Sequence, residues 1–175
     1  GGLHPDRQLQ EMVDSIGNRI VESSDLQETG YRFAFHLLAD DKTVNAFALP
    51  GGQIFITAGL LKLLQTEGEL AGVLGHEVAH VVARHSAEHM AKASLTEGLT
   101  GAAVMAAYDP QDPNSVRAGQ MAALVGQMLN MKFGRDDELE SDKLGVRFIA
   151  AACYDPNAIL RGMEALDRAS DVSRP

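Results

Sequence analysis

Gly75-His76-Glu77-Val78-Ala79-His80 is the stretch on which the reading of this 175-residue chain turns. Residues four apart on an α-helix lie one turn apart on the same face, so His76 and His80 can present both imidazoles to a single metal ion. Glu77 stands beside the first of them, where its carboxylate can reach a water next to that ion without ligating it. Two histidines and a carboxylate at this spacing imply a divalent-metal centre with a general base on one helical turn. The chemistry requires a helix, and the flanking residues supply one. Thr66 with Glu69 forms a capping box, so a long helix is expected from about Glu67 through His80. Gly72 and Gly75 weaken it locally and let a neighbouring segment approach the metal-bearing face.

Upstream, Leu9, Met12, Val13, Ile16 and Ile20 recur at helical spacing and predict an amphipathic helix over 5–22, with Pro5 near its start. Tyr31, Phe33, Phe35 and Leu37 alternate with more polar neighbours and predict a strand with one buried face. Two more strands are expected at Val44–Leu49 and Ile54–Thr57, separated by Pro50-Gly51-Gly52. Three short strands in succession suggest a small antiparallel meander. Downstream, Ala, Gly and Met-rich stretches at 99–108 and 116–131 flank the breaker Asp109-Pro110-Gln111-Asp112-Pro113 and read as a helical hairpin. That hairpin is expected to complete the core, with one edge bordering the cleft rather than forming a lid. Helices follow at Asp136–Ala151 and at Pro156–Ala169. The fold class is α+β and mainly helical, a single domain over 1–175 with about three strands beside the metal-bearing helix.

Apolar residues make up 45% and charged residues 22%, a globular balance. The net charge of −9, with no basic cluster to offset it, argues against nucleic acid as a partner. The single cysteine, Cys153, rules out an internal disulfide framework and reads as a small buried thiol. No uncharged apolar run is long enough to span a bilayer, and no signal peptide is present. The Gly-Gly opening and the Arg174-Pro175 end read as those of a processed piece of a longer protein.

A catalytic zinc usually has three protein ligands and an open position. Ala83 and Ser86 stand where one familiar continuation of the motif needs Gly and His. His85 and His89 lie near in sequence, but on a helix they point well away from His76 and His80, and read as surface or capping groups. Glu138 is the best third ligand. Asp142, one turn further on, can accept a hydrogen bond from the outer ring nitrogen of a ligand histidine. The competing reading of Asp136, Asp137, Glu138, Glu140 and Asp142 as a solvated acidic stretch loses once the upstream His-Glu-x-x-His helix is weighed with them.

The combination Leu74-Gly75-His76-Glu77-Val78-Ala79-His80, Ala83-Arg84-His85 and Arg135-Asp136-Asp137-Glu138 with Asp142 resembles the gluzincin metallopeptidases related to CAAX prenyl endopeptidase and the HtpX heat-shock protease, metallopeptidase family forty-eight. Asn45-Ala46-Phe47-Ala48-Leu49-Pro50-Gly51-Gly52 is similar to that family's strand ahead of the metal helix, and Tyr154-Asp155-Pro156 to the start of its closing helix. The likeness covers roughly residues 40 to 170. It implies a zincin-like fold, with one Zn2+ held by His76, His80 and Glu138, Glu77 as catalytic base, and Asp142 behind a ligand histidine. It further implies endopeptidase action on unfolded or misfolded proteins, with the substrate bound as an extended strand along Asn45–Leu49, Asn45 and Phe47 among its contacts. The soluble bacterial envelope members fit better than the multispanning ones, which implies the periplasm. An oxyanion donor is left open between Arg84, Arg135 and Tyr154. Ser141 departs from the usual Ala and Cys153 from the usual Gly; neither changes a ligand type.

Two rival readings remain. A ferritin-like di-iron bundle would use Glu77 and His80, but it needs a second Glu-x-x-His that the chain lacks. A non-enzymatic, zinc-stabilised chaperone-like or binding module of the same fold keeps every residue but not the turnover, and replacing Glu77 separates it from a peptidase.

Overall fold

The computed structural model describes residues 2–97, 126 and 131–172. Helix α1 (Arg7–Ser23) starts where Asp6 accepts hydrogen bonds from the backbone N–H groups of Gln8 and Leu9 at 2.9 and 3.2 Å. It buries Val13, Ile16, Ile20 and Val21 along one face. A short 3-10 turn at Leu26–Thr29 leads to three strands: β1 (Ala34–Leu38), β2 (Ala46–Ala48) and β3 (Gln53–Thr57).

The strands are where expected, but the sheet is mixed rather than an antiparallel meander. Its order is β1-β3-β2, with β1 parallel to β3 and β2 antiparallel to it. The reason lies in the two connections. Pro50-Gly51-Gly52, with Gly51 and Gly52 at φ 95° and 107°, makes a tight hairpin between β2 and β3. The stretch 39–45 is a longer loop. In it the Asp40 carboxylate accepts from the N–H groups of Lys42 and Thr43, both at 3.0 Å, and carries the chain to the far edge so that β3 returns between its neighbours. One sheet face packs Phe35, Leu37, Ala46, Ala48, Ile54 and Ile56 into the main core. Phe47 and Leu49 on the other face join Leu38, Phe55, Met90 and Met131 in a second cluster.

After the single turn α2 (Ala58–Leu61) comes α3 (Glu67–Val82). The Thr66 hydroxyl accepts from Glu69 N–H at 3.1 Å, and the Glu69 carboxylate reaches back to Gln65 N–H at 2.7 Å. Every residue from Leu70 to Val81 is buried, so this helix is the axis around which the rest packs. Helix α4 (His85–Glu97) follows at once; α5 (Arg135–Ala151) and α6 (Ala158–Val172) pack against α3. The contact with α5 is close because glycine faces glycine: a Cβ on Gly75 would lie 2.6 Å from Ile149 Cγ2, and one on Gly145 would lie 3.2 Å from His76 N.

Helix α5 ends with Cys153 in the left-handed region at φ 65°, its N–H bonded to Ala150 O at 3.0 Å and Tyr154 N–H to Ile149 O at 2.9 Å. Cys153 is exposed, so the expectation of a buried thiol is overturned; it holds a helix-terminating position that glycine adopts without strain. The hairpin expected over 99–131 lies outside the described residues but for Gly126 and Met131. Among the described residues, no helix is long and apolar enough to cross a membrane.

Candidate metal centre

Helix α3 delivers His76, Glu77 and His80, all buried, into the cleft against α5. The Nε2 atoms of His76 and His80 face each other at 3.0 Å. Glu138, in the acidic first turn of α5, brings Oε2 to 3.2 Å from His76 Nε2 and Oε1 to 3.5 Å from His80 Nε2. The positive end of the α5 dipole favours a carboxylate there. Among the described residues this is the one group of three ligating side chains whose donor atoms lie within 4.8 Å of one another.

The donor set fits a tetrahedral ion. Ligands about 2.0–2.1 Å from zinc at tetrahedral angles stand about 3.3 Å apart, and the three observed separations straddle that value. The hydrogen atoms agree. Asp142 Oδ1 lies 2.9 Å from His76 Nδ1, and an ionised carboxylate can only accept. The Nδ1 proton is thereby fixed, so that whenever the ring is in its neutral, ligating form it is Nε2 that turns a bare lone pair inward.

The charges point the same way. Burial opposes protonation of His76, but hydrogen bonds to Asp142 and Glu138 outweigh it and raise its pKa to about 10. For Glu138, burial works to raise the pKa, and the bonds to His76 and His80 override it and hold the carboxyl well below its ordinary range. A field that stabilises a proton between these groups also stabilises a divalent cation. Glu77 behaves differently. Burial lifts its carboxyl above the usual range, with the imidazoles of His80 and His76 pulling against that shift. Among the described residues no hydrogen bond fixes its carboxylate, which leaves it available to a water at the centre.

The other expected residues are scattered. Arg84, immediately before α4, and Arg135, the first residue of α5, are both exposed. Tyr154 does not join the centre: its hydroxyl donates to Glu67 at 2.6 Å and its ring receives the Arg19 guanidinium at 4.7 Å. Glu67 opens α3 nine residues before His76, roughly 13 Å away along the axis. Phe47 lies on the edge strand β2 and Asn45 immediately before it, but their backbones face inward. Leu49 N–H donates to Gln53 O at 2.8 Å and Thr57 N–H to Asn45 O at 3.0 Å, so residues 45, 47 and 49 pair with β3. The backbones of Ala46 and Ala48 point to the open side, where Ser86 Oγ already donates to Ala48 O at 2.9 Å.

His85 overturns its reading as a surface or capping group. It is 4% exposed, and its Nδ1 stands 3.0 Å from His80 Nδ1. The cause is Arg84, which takes the left-handed conformation at φ 64° and breaks the helix, so that His85 turns back onto the face of α3 that carries His76 and His80. His85 Nε2 is 3.0 Å from Glu140 Oε2, and His89 Nε2 is 2.8 Å from Asp137 Oδ2. Phe133 stacks on the His80 ring at 4.1 Å between centroids. No propensity signal marks the left-handed Arg84; a third histidine five residues after His80 was the only clue.

Residues 7–165 match peptidase family M48. The chain belongs to that family. It is 32% identical over 156 residues to a putative beta-barrel assembly-enhancing protease of Vibrio cholerae, covering 86% of this chain and 31% of the relative. It is 35% identical over 158 residues to the mitochondrial metalloendopeptidase OMA1 of Schizosaccharomyces pombe, covering 90% of this chain and 44% of that protein. The Escherichia coli K12 beta-barrel assembly-enhancing protease is 30% identical over 173 residues, covering 95% of this chain and 34% of the relative. The chain thus spans less than half the length of these relatives. Membership in M48 makes it a metalloendopeptidase domain, and its converging histidines and carboxylate are a site able to hold a metal.

Proposed function

We propose that residues 1–175 form one zinc-dependent endopeptidase domain that hydrolyses peptide bonds of unfolded or misfolded proteins. The observation that carries this reading is the convergence of three donors, at 3.0, 3.2 and 3.5 Å, beside a buried and unpaired Glu77. His76, His80 and Glu138 are the ligands of one Zn2+; two imidazoles and a carboxylate are a donor set suited to that ion. When bound, zinc supplies a Lewis acid that makes water acidic and polarises a carbonyl. Glu77 takes the proton from the attacking water and returns it to the leaving amine. Its raised pKa supports that exchange, because a base works best near the pH at which it operates. Asp142 holds the His76 ring in the orientation that turns Nε2 inward.

The substrate lies as an extended strand along the edge of β2, supported by the outward-facing backbone of Ala46 and Ala48. Asn45 and Phe47 serve this by fixing β2 against β3. Of the oxyanion donors, Arg84 and Arg135 are preferred over Tyr154, whose hydroxyl is tied to Glu67. A place in the bacterial envelope, the periplasm, is supported by the relatives named for enhancing beta-barrel assembly.

Replacing Glu77 with Gln tests the reading. The purified variant should bind zinc like the wild type and lose about 10²–10⁴-fold of its cleavage of an unfolded casein-like substrate. A wild-type protein that holds zinc yet shows no Glu77-dependent cleavage refutes the peptidase and leaves a zinc-stabilised binding module.

A further inference from the structure

We propose that His85 is a positioning residue for the metal ligand His80, fixing which of its ring nitrogens is bare. The two ligand histidines are held differently. His76 has a carboxylate, Asp142, on its outer nitrogen at 2.9 Å. His80 has another imidazole, His85, at 3.0 Å, and the carboxylate stands one step further out. The proton positions follow from the far end inward. Glu140 Oε2 lies 3.0 Å and Asp137 Oδ1 3.7 Å from His85 Nε2, and carboxylates only accept, so that nitrogen carries its proton. A neutral His85 then has a bare Nδ1. A nitrogen lone pair 3.0 Å from His80 Nδ1 requires the proton to sit on His80. His80 Nε2 is left bare, aimed at His76 Nε2 and Glu138.

The surroundings hold this relay in place. His80 and His85 are 1% and 4% exposed, so water cannot substitute for a missing partner without opening the core. Phe133 lies flat on His80, with an interplanar angle of 24°, and blocks rotation of the ring. Ser141 Oγ sits 3.2 Å from His85 Nδ1 and buttresses it from α5. The left-handed Arg84 then has a role: it turns the chain so that His85 meets His80 rather than solvent.

The inference rests on His76, His80 and Glu138 being the metal set, and zinc affinity tests both separately from turnover. Zinc binding to the purified protein is measured by competition with a chromophoric chelator, for the wild type, His85→Ala and His85→Asn. Asn places an acceptor oxygen where His85 has Nδ1. His85→Ala should bind zinc about 10–100-fold more weakly, and His85→Asn should recover to within about threefold of the wild type. In the zinc-loaded wild type the His80 Nδ1 proton should give a slowly exchanging NMR signal that His85→Ala loses and His85→Asn keeps. A folded His85→Ala with wild-type affinity overturns the proposal, as does an equal loss in both variants. Should His85→Ala fail to fold, His85→Asn decides alone: a tenfold or larger weakening in a folded protein overturns it. A wild type that binds no zinc overturns the metal site and this inference together; a wild type that binds it with an unaffected His85→Ala overturns the inference only.

Discussion

Gly75→Ala tests whether helix spacing sets the metal centre. The added Cβ would sit 2.6 Å from Ile149 Cγ2, against roughly 3.5–4.0 Å for unstrained carbon atoms, so about 1 Å must be recovered. Ile149 is fully buried and β-branched, and a β-branched side chain in a helix has essentially one χ1 choice. The relief must therefore come from α5 moving away from α3. Overpacking of this kind costs about 1–3 kcal/mol, and exchanging a helical glycine for alanine returns about 0.8–1.0 kcal/mol, so the net loss of stability is only about 0–2 kcal/mol. The site should suffer more. A shift of that size carries Asp142 out of hydrogen-bond reach of His76 and moves Glu138 beyond the roughly 0.2 Å tolerance of a metal–ligand distance. The expected result is a fall of at least about tenfold in zinc affinity by chelator competition, with a metal-free melting temperature close to that of the wild type. Gly68→Ala is the control. Gly68 is the second residue of α3, about two turns before His76; its Cβ would meet Ala158 Cβ at 3.3 Å and Thr66 Oγ1 at 3.8 Å, and the change should leave zinc binding unchanged. Wild-type affinity in Gly75→Ala would refute the argument that helix approach controls the ligand geometry.

Zinc at a hundred times its dissociation constant should stabilise the fold by about 2.7 kcal/mol, a rise of roughly 5–11 °C in melting temperature that Glu138→Ala abolishes in a thermal scan. Asp142→Ala strips the acceptor from a buried His76 N–H and should weaken zinc binding about 10–100-fold while Glu77 is untouched. Tyr154→Phe should leave peptide cleavage within about twofold of the wild type, because the hydroxyl is bound to Glu67 and not to the centre. Burial first, then Glu67, lifts Tyr154 to about 12 from an unfolded value of 10.0, so its protonated form is the one the fold prefers. Its stabilising contribution is complete below pH 10 and lost as the pH rises toward 12, and urea midpoints across that window should fall less steeply in Tyr154→Phe.

The legible part of this protein is what periodicity and spacing encode. The capping box at Thr66 and Glu69 set the start of α3, and the four-residue intervals in 76–80 and 138–142 put their side chains on single faces. The sequence also contains the reason those faces meet, since Gly75 and Gly145 remove the side chains that would separate the helices. Strand pairing was less legible. Adjacent strands usually pair, which makes a meander the default, but the hairpin signal Pro50-Gly51-Gly52 joins only β2 and β3. Nothing comparable joins β1 to β2, and that asymmetry is what allows β3 to enter between them.

His85 was illegible for a different reason. Projecting it on an unbroken helix places it away from His80, and that projection is correct for the geometry it assumes. A single backbone rotation at Arg84 changes the answer, and arginine carries no preference for positive φ that would announce it. Such a conformation in a non-glycine residue costs on the order of 1 kcal/mol and persists where the surrounding contacts over-determine it. Here those contacts are the His80–His85–Glu140 relay on one side and the Ser86 bond to the edge strand on the other. One strained residue therefore couples the ligand sphere to the strand proposed to hold substrate. Replacing Arg84 by Gly keeps that turn and should preserve zinc binding, whereas a β-branched residue there should disturb both neighbours at once.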